Sequence, residues 1–322
     1  MGEADISGLA NVENVGMQVI LAEVRGFCAG VERAIDIVEK ALIKFGAPIY
    51  VRHEIVHNRH VVERLRAKGV VFVEELSEVP PGSVTIFSAH GVSRAVEDEA
   101  ARRGLSVIDA TCPLVLRVHK DGVRYEAQGR EVVLIGHAGH PEVEGTMGRL
   151  AGPVHRVSNA EEVLAIGASN PAKVAYITQT TLSVDDTRAV IDALRERFPS
   201  VVGPDTAEIC YATQNRQRAV AELAGIVDVV LVVGARNSSN SNRLREIAAT
   251  RGTPAHLLEE AADLDPAWIA GKQRIGITAG ASAPDDLVQG LVEALRAHGE
   301  VAFSTLPGVK EDVRFKLPPQ LT

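Results

Sequence analysis

The sequence predicts an α/β protein in which several similar units, with largely parallel sheets, face one shared centre. Three observations carry this. Short uninterrupted apolar runs rich in β-branched residues alternate with segments of helical periodicity, the pattern of buried parallel strands joined by helices. Several of these runs end in small Gly-rich polar turns, and ligands of open α/β sheets gather beyond the carboxyl ends of strands. At 322 residues the chain is too long for one small core and suits two or three domains.

The elements follow in order. The opening stretch MGEADISGLANVENVGM is acidic and lacks both a basic n-region and an apolar h-region. It reads as a loose extension over residues 1–17, with Met17 an alternative start, and not as a signal or transit peptide. Strands are expected at QVILAEV (18–24), VTIF (84–87), VVLI (132–135), VAYIT (174–178), VVLVV (229–233) and IGIT (275–278). Helical spacing covers Val31–Lys44, Val61–Lys68, Thr187–Arg197 and Ser241–Arg251. Polar turns close four strands: FSAHGVS (87–93), IGHAGHPEVEG (135–145), VGARNSSNSN (233–242) and TAGASAPDD (278–286). Glycines there let backbone amides approach a ligand, and a following helix start favours an anion. The expected partition is a first domain over 18–112, a second over 113–209, a third over 210–297, and a C-terminal segment, 298–322, packing back on the core.

Composition narrows the function. With 34 Lys and Arg against 42 Asp and Glu the net charge is −8, and no basic block appears, which argues against a nucleic-acid binder or an anionic membrane surface. Aromatic residues are only 4%, too few for base-stacking platforms. No apolar run is long enough to span a bilayer, so a cytoplasmic protein is expected.

Three cysteines, Cys28, Cys112 and Cys210, lie 84 and 98 residues apart, each between a strand end and a helical segment. An odd count at such spacing is no disulfide framework. Taken by count alone, they read as three small core residues. A thiol at a helix N-terminus is biased towards thiolate by the dipole and orphan amides, and thiolates are what iron–sulfur clusters require. Three ligands would leave one iron of a four-iron cluster open. Zinc fits less well, since local C-x-x-C pairs are absent.

His57, His90, His137 and His140 sit in loops, the last three beside Gly or Pro at strand ends, where imidazolium donors suit a diphosphate. The remaining histidines, His53, His60, His119, His155, His256 and His298, read as structural or surface groups. Glu142 follows His140-Pro141 at a helix start, where it either complements the dipole or, facing a closed cavity, delivers protons. Thr180 and Thr181 read as caps, as do Ser238-Ser239-Asn240 and Ser282-Ala283-Pro284, and capping geometry also makes an anion cradle. The absence of a G-x-x-x-x-G-K-[ST] motif excludes a Walker-type nucleotide site.

Nine blocks, RGFCAGVERAI, PIYVRHEIVHN, FSAHGVS, DATCPLV, GHAGHPEVEGTMG, TQTTLSVDDT, ICYATQNRQ, NSSNSNRL and TAGASAPD, resemble the 4-hydroxy-3-methylbut-2-enyl diphosphate reductase family, LytB or IspH, in family order. The resemblance implies three similar α/β domains around one [4Fe–4S] cluster, with Cys28, Cys112 and Cys210 as ligands and one open iron. It implies that His57, His90, His140, Ser238, Ser239, Asn240 and Ser282 surround the diphosphate. Thr180 matches a hydroxyl near the substrate alcohol, and Glu142 the acid that delivers protons. The implied reaction is the last step of the non-mevalonate pathway: two electrons and two protons are consumed, water is lost, and isopentenyl and dimethylallyl diphosphates form. A ferredoxin or flavodoxin is the implied electron donor, and monomer and homodimer both remain open. Three other readings stand beside it: a cluster-dependent hydro-lyase, a non-catalytic cluster sensor, and a diphosphate-binding protein with incidental cysteines.

Overall fold

The computed structural model describes residues 16–204 and 209–322. The expected N-terminal extension lies outside the described residues except for Gly16 and Met17, and Met17 already belongs to the first strand.

Among the described residues twelve strands form three sheets, and every paired strand runs parallel to its neighbour. The first sheet has the order β3-β2-β4-β5, with β2 Ile49–Arg52, β3 Val70–Val73, β4 Val84–Phe87 and β5 Ser106–Asp109. The second has the order β7-β6-β8, with β6 Glu131–Ile135, β7 Val154–Val157 and β8 Val174–Thr178. The third has the order β10-β9-β11-β1-β12, with β1 Met17–Ala22, β9 Val229–Val233, β10 Ala255–Leu258, β11 Arg274–Ala279 and β12 Val301–Leu306. Between them run α1 Ala29–Phe45, α2 Arg59–Ala67, α3 Arg94–Arg102, α4 Pro113–Ala127, α5 Pro141–Met147, α6 Ala160–Val163, α7 Val184–Arg197, α8 Tyr211–Ala224, α9 Ser239–Thr250, α10 Pro266–Ile269 and α11 Asp285–Arg296. The α/β class with parallel sheets is therefore what the alternating apolar runs encode.

One feature departs from a sequential partition. Strand β1, expected with the first unit, sits inside the third sheet between β11 and β12. The reason is burial on both faces. Val19 and Leu21 join Val229, Leu231, Val233, Ile275 and Ile277 in one core, while Ile20 and Ala22 join Val220, Leu223, Val230 and Val232 in the other. A strand apolar on both sides needs an interior place in the widest sheet. Each fully buried Val, Ile or Leu contributes about 1.5–3 kcal/mol there.

After β1 the chain crosses to the first sheet through α1. Its inner face, Ala34, Ile35, Ile37, Val38 and Ala41, packs with Ile49, Val51, Ile86 and Ile108, and Leu317 and Leu321 of the C-terminal segment close the same core. The turn before α1 is thus anchored in one sheet and the helix in another. That turn carries Cys28.

Candidate active site

Each cysteine is the N-cap of a helix: Cys28 of α1, Cys112 of α4, where Pro113 occupies the first turn, and Cys210 of α8. Backbone bonds fix two of them across the structure, since Cys28 N donates to Ala281 O at 3.2 Å and Cys112 N to Ala89 O at 3.0 Å. All three line one cavity of about 110 Å³ that also receives His57, His90, His140, Glu142, Thr180, Ser238, Ser239, Asn240 and Ser282. These residues meet at one place, fed by the carboxyl ends of strands from all three sheets, whereas His137 does not line it.

The thiol chemistry differs from expectation in one respect. Burial pushes Cys112 up to about 12 and Cys210 up to about 11, and neighbouring cysteines add to the rise, while the helix-start amides only partly oppose it. Desolvation outweighs the helix dipole, so these groups are thiols unless a cation holds them as thiolates. Among the described residues no group of three His, Cys, Asp or Glu is placed to hold a metal ion. A cluster makes a different demand, one thiolate for each of three irons. The space fits such a group: a Cβ on Gly30 would stand 2.7 Å from Cys112 Sγ and 3.8 Å from Cys28 Sγ, so the missing side chain keeps the region between two thiols open. Donor chemistry and room both suit a [4Fe–4S] cluster.

Beside the thiols three imidazoles gather. His57 and His90 stack with centroids 4.2 Å apart, and His140 meets them edge-on at 5.5 and 5.9 Å. Burial, followed by their mutual proximity, lowers His140 to about 4 and His90 well below its usual range. His90 and His140 are therefore neutral rings at pH 7, and an anion entering beside them reverses the sign of the local field. His140 Nδ1 accepts from Glu142 N at 3.2 Å, which assigns its proton to Nε2. Asn240 is 5% exposed, and both its amide atoms lack a protein partner. Gly280 allows this, since a Cβ there would lie 3.0 Å from Asn240 Nδ2. A buried amide without partners is a cost that a ligand can remove.

Glu142 is 3% exposed, and burial pushes its carboxyl up to about 7 although Thr180 opposes the shift. Thr180 N donates to Oε1 at 2.7 Å and Thr180 Oγ1 to Oε2 at 2.9 Å. Thr180 is thus no helix cap; Ser183 caps α7 instead. Ser238 caps α9 as expected. Ser282 does not cap α11, whose N-cap is Pro284; its hydroxyl donates to His57 O at 2.9 Å.

Some participants carry no sequence signal. Gln179 accepts from His137 N at 3.0 Å and donates to Thr181 Oγ1 at 2.9 Å, and Thr181 donates to Ser239 Oγ at 3.2 Å, linking the second and third sheets. Glu54 contacts both His57 and Asn237. His137 stays at the outer mouth with His57, His140, Asn237 and Arg243.

Comparison with known proteins points to one family. A reductase named 4-hydroxy-3-methylbut-2-enyl diphosphate reductase from Zymomonas mobilis is 61% identical over 305 residues, covering 95% of this chain and 90% of the relative. The protein of the same name from Bordetella pertussis is 58% identical over 313 residues, covering 97% and 96%. The structure of the E-1-hydroxy-2-methyl-but-2-enyl-4-diphosphate reductase from Plasmodium falciparum superposes with a TM-score of 0.91 at 36% identity, covering 95% of this chain and 97% of that one. A second structure, of (E)-4-hydroxy-3-methyl-but-2-enyl diphosphate reductase, described as the terminal enzyme of the non-mevalonate pathway, gives 0.62 at 34% identity, covering 87% and 99%. The model of the LytB protein family matches residues 19–296, and with relatives this similar over nearly their whole length the chain belongs to that family.

Proposed function

We propose that this protein reduces 4-hydroxy-3-methylbut-2-enyl diphosphate to isopentenyl and dimethylallyl diphosphates, the terminal step of the non-mevalonate pathway. The observation that carries the reading is the meeting, in one cavity, of three N-cap cysteines, three imidazoles and the buried Glu142–Thr180 pair. Cys28, Cys112 and Cys210 would hold a [4Fe–4S] cluster. Bound there, it supplies electrons and, at its one iron without a cysteine, Lewis acidity towards the substrate hydroxyl.

The chain's own residues do the rest. His57, His90 and His140, with Ser238, Ser239, Asn240 and Ser282, take the diphosphate. Binding energy gathered at that remote end orients the alcohol end of the substrate. Glu142, a neutral acid near pH 7 because it is buried, holds the proton that the departing oxygen needs, and Thr180 fixes both carboxyl oxygens while facing the alcohol. The balance is two electrons and two protons in, one C–O bond broken, one water out. Protonation of the reduced allylic fragment at either end gives the two products, and a dry pocket protects that fragment from stray protons. Electrons come from a small ferredoxin or flavodoxin. Among the described residues no helix is long and apolar enough to cross a membrane.

The test is anaerobic isolation, iron and acid-labile sulfide analysis, and turnover with a low-potential chemical reductant. About four of each element per chain, with both isoprenoid products formed, is the expected result. Turnover without reductant would instead identify a hydro-lyase. Substrate binding without repeated turnover would identify a sensor.

A further inference from the structure

Glu54 lies in the turn after β2, outside the cysteine, histidine and hydroxyl set assigned to the site. One of its oxygens serves two elements. Glu54 Oε2 stands 3.2 Å from His57 Nδ1 and accepts from Asn237 Nδ2 at 3.0 Å. His57 belongs to the first sheet's turns, whereas Asn237 directly precedes Ser238, Ser239 and Asn240 on the third sheet's turn. A single carboxylate oxygen therefore joins the imidazole cluster to the hydroxyl and amide cradle.

The ring orientation follows from this contact. A carboxylate can only accept, so Nδ1 of His57 carries a proton, and the other nitrogen, Nε2, is buried with no protein partner. Ser282 Oγ holds the backbone of the same residue from the third sheet. His57 is pinned at its ring and at its carbonyl while one nitrogen is left for a ligand. An isolated surface ion pair, in which the Glu54 side chain is 37% exposed, would be worth little by itself. Its value here is directional, as in carboxylate–histidine pairs that fix a tautomer and raise the basicity of the other nitrogen. The Glu54 carboxyl is held below its usual range, first by the His57 contact and also by Asn237, so it remains ionised through the neutral range.

We propose that Glu54 is a positioning residue for diphosphate binding: it sets the tautomer and direction of His57 and ties that ring to the Asn237–Asn240 turn, so that both close on the same anion. This rests on the reading of the cavity as a diphosphate site.

The test uses Glu54→Gln, which keeps shape and hydrogen bonding but removes the charge, and Glu54→Ala, which removes both. With a chemical reductant and the loaded enzyme, KM for the substrate rises about tenfold in Glu54→Gln and further in Glu54→Ala, while kcat changes less than about twofold. Long-range ¹H–¹⁵N spectra of the histidines report the ring directly: the Nδ1–H signal of His57 in the unaltered protein is lost in Glu54→Ala. Asn237→Ala gives a smaller rise in KM and keeps the Nδ1–H signal. An unchanged KM in Glu54→Gln, or the same His57 tautomer in Glu54→Ala, overturns the assignment. Loss of kcat and thermal stability together, restored in Glu54→Gln, would show a purely structural contact and overturn it too. Absence of turnover in the unaltered protein would sink the proposed reaction instead, and the tautomer measurement would still decide the role of Glu54.

Discussion

Arg216 and Glu311 form an ion pair that ties two turns of the cysteine site to the C-terminal segment. Arg216 Nη1 lies 3.1 and 3.2 Å from the two Glu311 oxygens, and Nη2 lies 3.3 Å from Oε2. The same guanidinium donates from Nε to Gly26 O at 3.0 Å, from Nη2 to Phe27 O at 3.1 Å and from Nη1 to Ala212 O at 2.9 Å. The turn leading into Cys28, the first turn of α8 after Cys210, and the C-terminal segment are thus held by one side chain that is 1% exposed.

Removing one partner of a buried pair leaves an uncompensated charge, at a cost of about 3–5 kcal/mol. Glu311→Ala is expected to lose stability in that range, measured by anaerobic denaturant unfolding, and to release iron faster on dilution into chelator. Arg216→Lys should not rescue the site, because an ammonium cannot reach three carbonyls and a carboxylate in fork geometry. A Glu311→Ala protein with unaltered iron release would show that the clamp does not govern the Cys28 turn.

Glu142 gives the second prediction. Its carboxyl titrates near 7 in the folded protein and near about 4.3 in an unfolded chain. Between those values the unfolded state releases the proton while the native state keeps it. The contribution to stability is full below the unfolded value and is lost as pH rises through about 7. Glu142→Gln carries no such proton, so its stability relative to the parent should improve as pH is raised from 4 to 8. Turnover should fall about 100-fold or more in the variant while substrate binding is retained. A parallel pH profile for the two proteins would contradict the buried-acid assignment.

How much of this was legible in the sequence depends on the range of the interactions. Cys28, Cys112 and Cys210 announce themselves locally, each between an apolar run and an amphipathic segment, and the structure makes each an N-cap. The burial of Cys112 and Cys210 is not local, and it reverses the expected bias of those two towards thiolate. Strand β1 reads as a strand from its own residues, but its neighbours β11 and β12 lie more than 250 positions away, beyond any periodicity argument. Arg216, Glu54 and Gln179 were invisible for the same reason. Arg216 reaches Gly26 across 190 positions and Glu54 reaches Asn237 across 183, and nothing in a polar residue's immediate neighbours reveals such a partner. For Thr180 the local pattern left a cap and a site hydroxyl both open, and only the fold decides: Ser183 caps α7 and leaves Thr180 for Glu142.

Gly30 tests the room between the thiols. It lies in the first turn of α1 with no positive φ, so alanine is acceptable to the backbone and would favour the helix by up to about 1 kcal/mol. Its Cβ, however, would meet Cys112 Sγ at 2.7 Å, inside contact distance. The steric effect should win at the site and lose in the fold. Gly30→Ala is expected to keep its circular dichroism and thermal midpoint yet bind less than about half the iron of the parent after reconstitution. Full iron loading would mean that the thiols can move apart at little cost and that the glycine is not what keeps the space open.

Asn240 separates stability from binding most cleanly. Both atoms of its buried amide lack protein partners, so the ligand-free protein bears a desolvation cost that no internal hydrogen bond offsets. Asn240→Ala removes the unsatisfied groups and opens only a small void, so the free protein should be as stable as the parent or more so in denaturant. Affinity for inorganic diphosphate, measured by calorimetry, should fall about tenfold, because the amide can no longer meet the anion. The opposed signs are the point: a residue retained for packing would lose stability on truncation and leave anion affinity untouched, whereas a residue held ready for a ligand does the reverse. Loss of stability with unchanged diphosphate affinity would remove Asn240 from the cradle.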